Sequence, residues 1–235
     1  MTDSSAEPGA PADASSAKGE TRAQEPSRAE RTIGRRTAEA RATIPDSELR
    51  AEVDMSAYAA LGPGVASVSA LLTRACALGL SRTPRANAAY RDGRFELYSR
   101  VNVGLVVDTP DGYVTATLFD ADRKPAADLD AEIETLSARA RSGEITPPEL
   151  SGGTFTLSNP GTYGIAGATP VIVAPQAAAL AAGAVRETPI VRDGTIVPGF
   201  AMSITLACDH RILFGEQAAL FLVRITELLE APHTL

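Results

Sequence analysis

Two histidines are the whole imidazole supply of this 235-residue chain, so chemistry needing a proton carrier near neutral pH falls to His210 or His233. His233 stands two residues from the end, behind Ala231-Pro232, where a chain frays. His210 stands in Cys208-Asp209-His210-Arg211, after an extended stretch and ahead of Gly215. A strand end can hold an imidazole rigidly while one nitrogen meets a reactant, which makes His210 the candidate general base. The plainer alternative is a hydrogen-bonded histidine that closes a sheet edge. No HExxH, no CxxC pair and no second internal histidine accompanies it, so no metal is expected.

The second candidate is Ser158, whose hydroxyl follows a short extended stretch and precedes Asn159-Pro160-Gly161, where the chain must turn. It lacks the G-x-S-x-G elbow of a covalent nucleophile. A turn serine and a hydrogen-bond donor to a developing oxyanion both remain open. Thr162 and Tyr163 could line the same loop, and the glycines at 164 and 167 fit close packing as well as a phosphate cradle. Cys76, in an apolar helical run, reads as a buried small hydrophobe.

Composition limits the partners and compartment. A net charge of -7, from 22 Lys plus Arg against 29 Asp plus Glu, argues against nucleic acid. No window approaches the roughly 18 apolar residues that span a bilayer, so no membrane is expected. Two cysteines make no disulfide framework, and the start is not a basic stretch leading into an apolar one; the cytoplasm is the expected location. With 44% hydrophobic residues the chain can fill one sizeable core. Residues 1–28 contain no Leu, Ile, Val or aromatic side chain and are expected to be a disordered tail ahead of one domain at 29–235.

The elements that must position these groups follow from periodicity. A short helix is expected over 31–40, and Leu49, Ala51, Val53 and Met55 alternate with charged residues as a half-buried strand does. Helical spacing recurs over 65–80, 126–141 and 216–230. Extended stretches are expected at 101–107, 113–119, 154–157 and 202–208, with turns at 109–112 and at Asp193-Gly194 inside a hairpin. Together they predict an α+β domain or compact α/β sandwich.

Taken in order, GGTFTLSNPGTYG, TP, APQAA, the VRDG hairpin and CDHR with Gly215 closely resemble the catalytic domain of 2-oxoacid dehydrogenase dihydrolipoyl acyltransferases. NVGLVVDTPDG at 102–112 adds to the likeness, which runs from about residue 31 to 232. The resemblance implies a chloramphenicol-acetyltransferase-like two-layer α/β sandwich with a mixed sheet. It further implies a homotrimer with active sites between subunits. His210 then matches the general base of one subunit, and Ser158 the hydroxyl of its neighbour that stabilises the tetrahedral intermediate.

Departures from that family shape the functional expectation. The family's DHRxxDG reads DHRILFG here, so Phe214 stands where the motif acid belongs; Arg35 or Arg36 is the candidate for the arginine that acid would organise. TIPD at 43–46 lacks the histidine that relatives often place after the proline, and no lipoyl or peripheral-subunit-binding domain is recognisable. These differences favour a stand-alone acyltransferase. The expected reaction is acetyl transfer from acetyl-CoA, as acyl-donor cosubstrate, to a hydroxyl of a small molecule, free or carrier-derived, such as the hydroxymethyl group of a tetronate in antibiotic biosynthesis. Two alternatives stay open: a lipoyl acyltransferase of a 2-oxoacid dehydrogenase complex, served by a separate lipoyl protein, and a catalytically impaired trimeric scaffold.

Overall fold

The computed structural model describes residue 19, residues 21–62 and residues 64–235. The tail expected at 1–28 falls mostly outside the described residues. Helix α1 (Arg28–Thr43) starts earlier than the expected 31–40 because Ser27 and Glu30 form a capping box. The Glu30 amide donates to Ser27 Oγ at 3.1 Å, and the Ser27 amide donates to Glu30 Oε2 at 2.6 Å. Strand β1 (Asp46–Asp54) carries the expected alternation, with Val53 fully buried. After the single turn α2 (Ser56–Ala59), helix α3 (Val68–Arg82) is capped by Ser67, whose hydroxyl accepts from the Ala70 amide.

A separate two-stranded ribbon follows, β2 (Ala88–Arg91) paired with β3 (Arg94–Leu97). Its turn places Asp92 at φ 49° and Gly93 at φ 73°, the left-handed pair that a tight hairpin needs. Strands β4 (Val103–Thr109) and β5 (Gly112–Leu118) form the hairpin expected around 109–112. Helix α4 (Ala126–Ser142) ends on Gly143 in the left-handed conformation. Strand β6 (Phe155–Ser158), strand β7 (Ala178–Ala182), the hairpin β8 (Arg186–Arg192) with β9 (Thr195–Asp209), and helix α5 (Gly215–Glu230) complete the chain.

One sheet holds seven of these strands in the order β1-β9-β7-β6-β4-β5, with β8 paired to the first half of β9. The β4-β6 and β6-β7 pairs are parallel and the rest antiparallel, so the sheet is mixed, as expected. Period-two alternation divides its side chains cleanly. One face presents Val53, Val103, Leu105, Leu118, Phe155, Leu180, Ile204 and Leu206 to α3, α4 and α5, forming the main core. Phe155 meets Phe221 of α5 edge-on, ring centroids 6.0 Å apart. The other face carries Thr156, Ser158, Ala179, Ala181, Ser203, Thr205 and Ala207, and a small apolar cluster there joins Ala179 and Ala207 to Ala40 and Ile44 at the end of α1 and to Val171 and Ile172.

Candidate active site

His210 lies one residue past the end of β9, on a turn fastened to the strand before it. Its amide donates to the Pro45 carbonyl at 2.9 Å. The Asp209 carbonyl accepts from the Ile212 and Leu213 amides at 3.0 and 2.9 Å. The turn follows Asp209 directly, but the Asp209 carboxylate does not orient the imidazole; its hydrogen bonds go to Arg211. Asp209, 1% exposed, accepts from the Arg211 amide at 3.0 Å and from the Arg211 guanidinium through Nε and a terminal nitrogen, the latter at 2.7 Å. That guanidinium also lies 4.5 Å above the Tyr90 ring on β2. The sequence held no local signal for Tyr90, 120 residues away from His210.

The imidazole itself is exposed, and among the described residues its ring makes no hydrogen bond; its ring neighbour is Phe214, at 5.6 Å between centroids. Cys208 offers no competing nucleophile, because burial pushes its thiol up to about 12, with Asp209 adding to the effect. Burial raises Cys76 in the same direction. No group of three or more His, Cys, Asp or Glu residues is placed to hold a metal ion among the described residues.

Ser158, half-buried, ends β6 on the face turned away from the helices, beside Ala181 of β7. Its hydroxyl makes no hydrogen bond among the described residues and is free to donate to a reactant. Behind it, Asn159 is tied to α3 through Nδ2 to Ser69 Oγ at 3.0 Å, a contact the sequence did not announce. Pro160–Tyr163 is a single tight turn, and the Tyr163 hydroxyl donates to Asp108 Oδ2 at 2.8 Å while the side chain stays 69% exposed. Of the glycines at 161, 164 and 167, close packing requires only Gly161; Gly164 takes the left-handed conformation at φ 76° with open space beside it, and a Cβ on Gly167 would meet nothing nearer than 3.6 Å. A Cβ on Gly161 would lie 2.3 Å from the Gly183 carbonyl oxygen, and one on Gly183 would lie 2.0 Å from that of Ala166.

Arg35 and Arg36 are not brought to the His210 turn. Both line a cavity of about 790 Å³ between α1, Tyr113 and residues 171–174, and Arg35 pairs with Glu39 on its own helix. Nor does one chain bring His210 to Ser158. Pairing register sets Ser158 level with Ala181 and Ala181 level with Thr205, five residues short of His210 and two strands across. At strand spacings this separation is roughly 19 Å, too far for both groups to touch one thioester.

The profile of the 2-oxoacid dehydrogenases acyltransferase (catalytic domain) family matches residues 18–235. The chain belongs to this family. The chain of this acyltransferase-family member is 33% identical over 228 residues to the Caenorhabditis elegans mitochondrial dihydrolipoyllysine-residue acetyltransferase component of the pyruvate dehydrogenase complex, covering 87% of this chain and 44% of that one. It is 36% identical over 216 residues to the Bartonella vinsonii subsp. berkhoffii dihydrolipoyllysine-residue succinyltransferase component of the 2-oxoglutarate dehydrogenase complex, covering 87% and 52%. The family member thus spans about half the length of these curated relatives, or less.

Among solved structures, Azotobacter vinelandii dihydrolipoamide acetyltransferase superposes with a TM-score of 0.88 at 26% identity, over 97% of this chain and 98% of that one. That structure is described as an investigation of a serine, a histidine and an asparagine in the enzyme's catalytic mechanism. The serine and histidine lie 52 positions apart, and the histidine and asparagine four apart. Ser158, His210 and Phe214 repeat both separations.

These relatives correct the functional expectation. A small-molecule O-acyltransferase of tetronate antibiotic assembly is overturned by relatives described as lipoyl acyltransferase components of dehydrogenase complexes. The absence of a recognisable lipoyl domain carried that expectation, and a sequence matching about half of its relatives cannot bear such weight. As for location, no helix among the described residues is long and apolar enough to cross a membrane.

Proposed function

We propose that this chain, with residues 29–235 as its catalytic domain, moves an acyl group between the thiols of coenzyme A and a protein-borne dihydrolipoyl group. The sites lie between copies of a homotrimer. The observation that carries the reading is the match in type and spacing of Ser158 and His210 to the serine and histidine named for the Azotobacter enzyme. The wide intrachain separation of the two residues supports a site completed by a neighbouring copy, with His210 from one and Ser158 from the next.

Thiol chemistry suits an exposed imidazole. His210 accepts the thiol proton of coenzyme A as its sulfur bonds to the acyl carbon of the lipoyl thioester. Ser158 donates to the carbonyl oxygen as negative charge builds on it. When the carbon–sulfur bond to the lipoyl arm breaks, His210 returns the proton to the leaving sulfur. An ordinary thiol near 8.5 is about two units above an imidazole near 6.5, so complete proton transfer costs only about 3 kcal/mol. Either direction of transfer is therefore open to the same base.

The test is acyl exchange by the purified full chain, with acetyl- and succinyl-CoA as donors and dihydrolipoamide as acceptor. Thioester formation with at least one donor is the expected result, and it would set the acyl preference. No exchange with either donor, by protein that is folded and assembled, would refute the reading.

A further inference from the structure

We propose that Phe214 is a positioning residue that holds the His210 imidazole in its working orientation by ring contact. The proposal rests on the acyl-transfer reading for what the orientation serves. It concerns the place, four residues after the histidine, where the Azotobacter enzyme has its named asparagine.

The His210 turn divides into a fixed part and an unfixed one. Its backbone is held at Pro45, at the Asp209 carbonyl and by the Asp209 carboxylate, which binds the Arg211 amide. Nothing comparable holds the ring: no side chain or carbonyl among the described residues hydrogen-bonds to it. The ring contact that the structure gives the imidazole is with Phe214, 5.6 Å between centroids with planes tilted by 39°.

Phe214 is an odd choice for any other duty. It occupies the N-cap of α5, a position that favours Ser, Thr, Asp or Asn, and it supplies no side-chain cap. The serines at the same position of α1 and α3 both accept hydrogen bonds. Nor does Phe214 serve the core, since it is 45% exposed. The chain forgoes a side-chain cap at this helix start, and within one chain the half-exposed ring lies against the imidazole. Gly215, at φ +55°, lets α5 begin directly behind it and so fixes where the ring starts from.

The test reads the ring and the reaction separately. His210 has a single histidine companion, so a His233→Gln background leaves one set of imidazole signals in a carbon-13 histidine spectrum of the assembled protein. Phe214→Ala should shift the His210 ring-proton signals by removing the ring current, and Phe214→Tyr should leave them close to their original place. In acyl exchange, Phe214→Ala should lower kcat roughly 2- to 12-fold, the range an aromatic contact supplies, with KM within about twofold, and Phe214→Tyr should restore it. The proposal is overturned if the signals do not move in Phe214→Ala, if kcat is unchanged, or if Tyr serves no better than Ala. A parent protein without exchange activity would refute the acyl-transfer reading instead, and nuclear Overhauser contacts from the His210 ring to its own backbone, kept in Phe214→Tyr and averaged over rotamers in Phe214→Ala, would still decide whether Phe214 holds the ring.

Discussion

The two faces of the central sheet are made of different materials. On the helix-covered face, Leu105, Leu118, Phe155, Leu180, Ile204 and Leu206 interlock with α3, α4 and α5, and the polar groups there are few. On the opposite face the same strands carry Thr156, Ser158, Ala181, Ser203 and Thr205, small or hydroxylated residues of which Thr156, Ala181 and Thr205 are buried and Ser158 and Ser203 half-buried. A cavity of about 750 Å³ opens on that second face, lined in part by Arg50, Glu52, Ser203 and Thr205. The difference teaches where to seek stability and where to seek chemistry. Burial of large side chains supports the fold from one side, and the candidate hydroxyl is left accessible on the other.

Substitutions on each side should therefore separate. The largest effect is expected at the site. His210→Ala should lower kcat for acyl exchange by roughly 10²- to 10⁴-fold without moving the unfolding midpoint, because the side chain is exposed and its backbone bonds survive. Steady-state kinetics beside a denaturant titration would check both halves. A variant that keeps its turnover would move the base to another residue.

Phe155→Ala should do the reverse. Its ring is fully buried against Phe221, so truncation should cost about 3–5 kcal/mol of stability in a denaturant titration. Below the unfolding transition, activity per folded molecule should stay near that of the parent. A large fall in turnover by fully folded protein would break the division of labour between the faces.

Ser158→Ala sharpens the comparison, being a small change on the face turned away from the helices. It should lower kcat by roughly 10²- to 10³-fold, with little change in stability. A pure stability loss would return Ser158 to the turn-serine alternative. Co-assembly adds a geometric test. In trimers formed from equal amounts of the His210→Ala and Ser158→Ala chains, about a quarter of the sites would pair an intact histidine with an intact serine from the next copy. Activity should recover to that level on mixing and reassembly. Sites built within one chain would recover nothing.

Much of the architecture was legible because its elements carry strong periodicity: α4 and α5 match their expected spans to within a residue or so, and the Asp193-Gly194 turn takes the left-handed pair its sequence suggests. Strand β7 was not legible, since AALAA has neither alternation nor branched side chains, and all five residues are buried. The β2-β3 ribbon escaped because its strands have four residues each, although Asp92-Gly93 carried the turn signal. At the site, His210 and Ser158 stood out by type and place. The expectation that they serve one site between subunits came from the family resemblance alone; local spacing does not carry it, and within one chain register puts them at different levels of the sheet. Phe214 was read as a lost carboxylate; the structure adds that its ring lies against the His210 imidazole.

The smallest expected effect lies at the rim, where neither face dominates. Asp120 receives two hydrogen bonds from the Arg100 guanidinium, at 2.8 and 2.5 Å, and these hold its carboxyl below the ordinary value near 3.8. A group lowered in this way favours the folded state above its unfolded value, and that contribution disappears as pH falls through the folded one. Asp120→Asn suits the test because asparagine tolerates the left-handed backbone at φ 50° and the Asp120 amide keeps its bond to Asn102 Oδ1. The variant should unfold slightly more easily than the parent at pH 7, and the gap should close below about pH 4, as thermal midpoints across that range would show. Exposed ion pairs of this kind contribute little, so a large and pH-independent difference would mean that Asp120 acts through the backbone of the β5-α4 connection rather than through its charge.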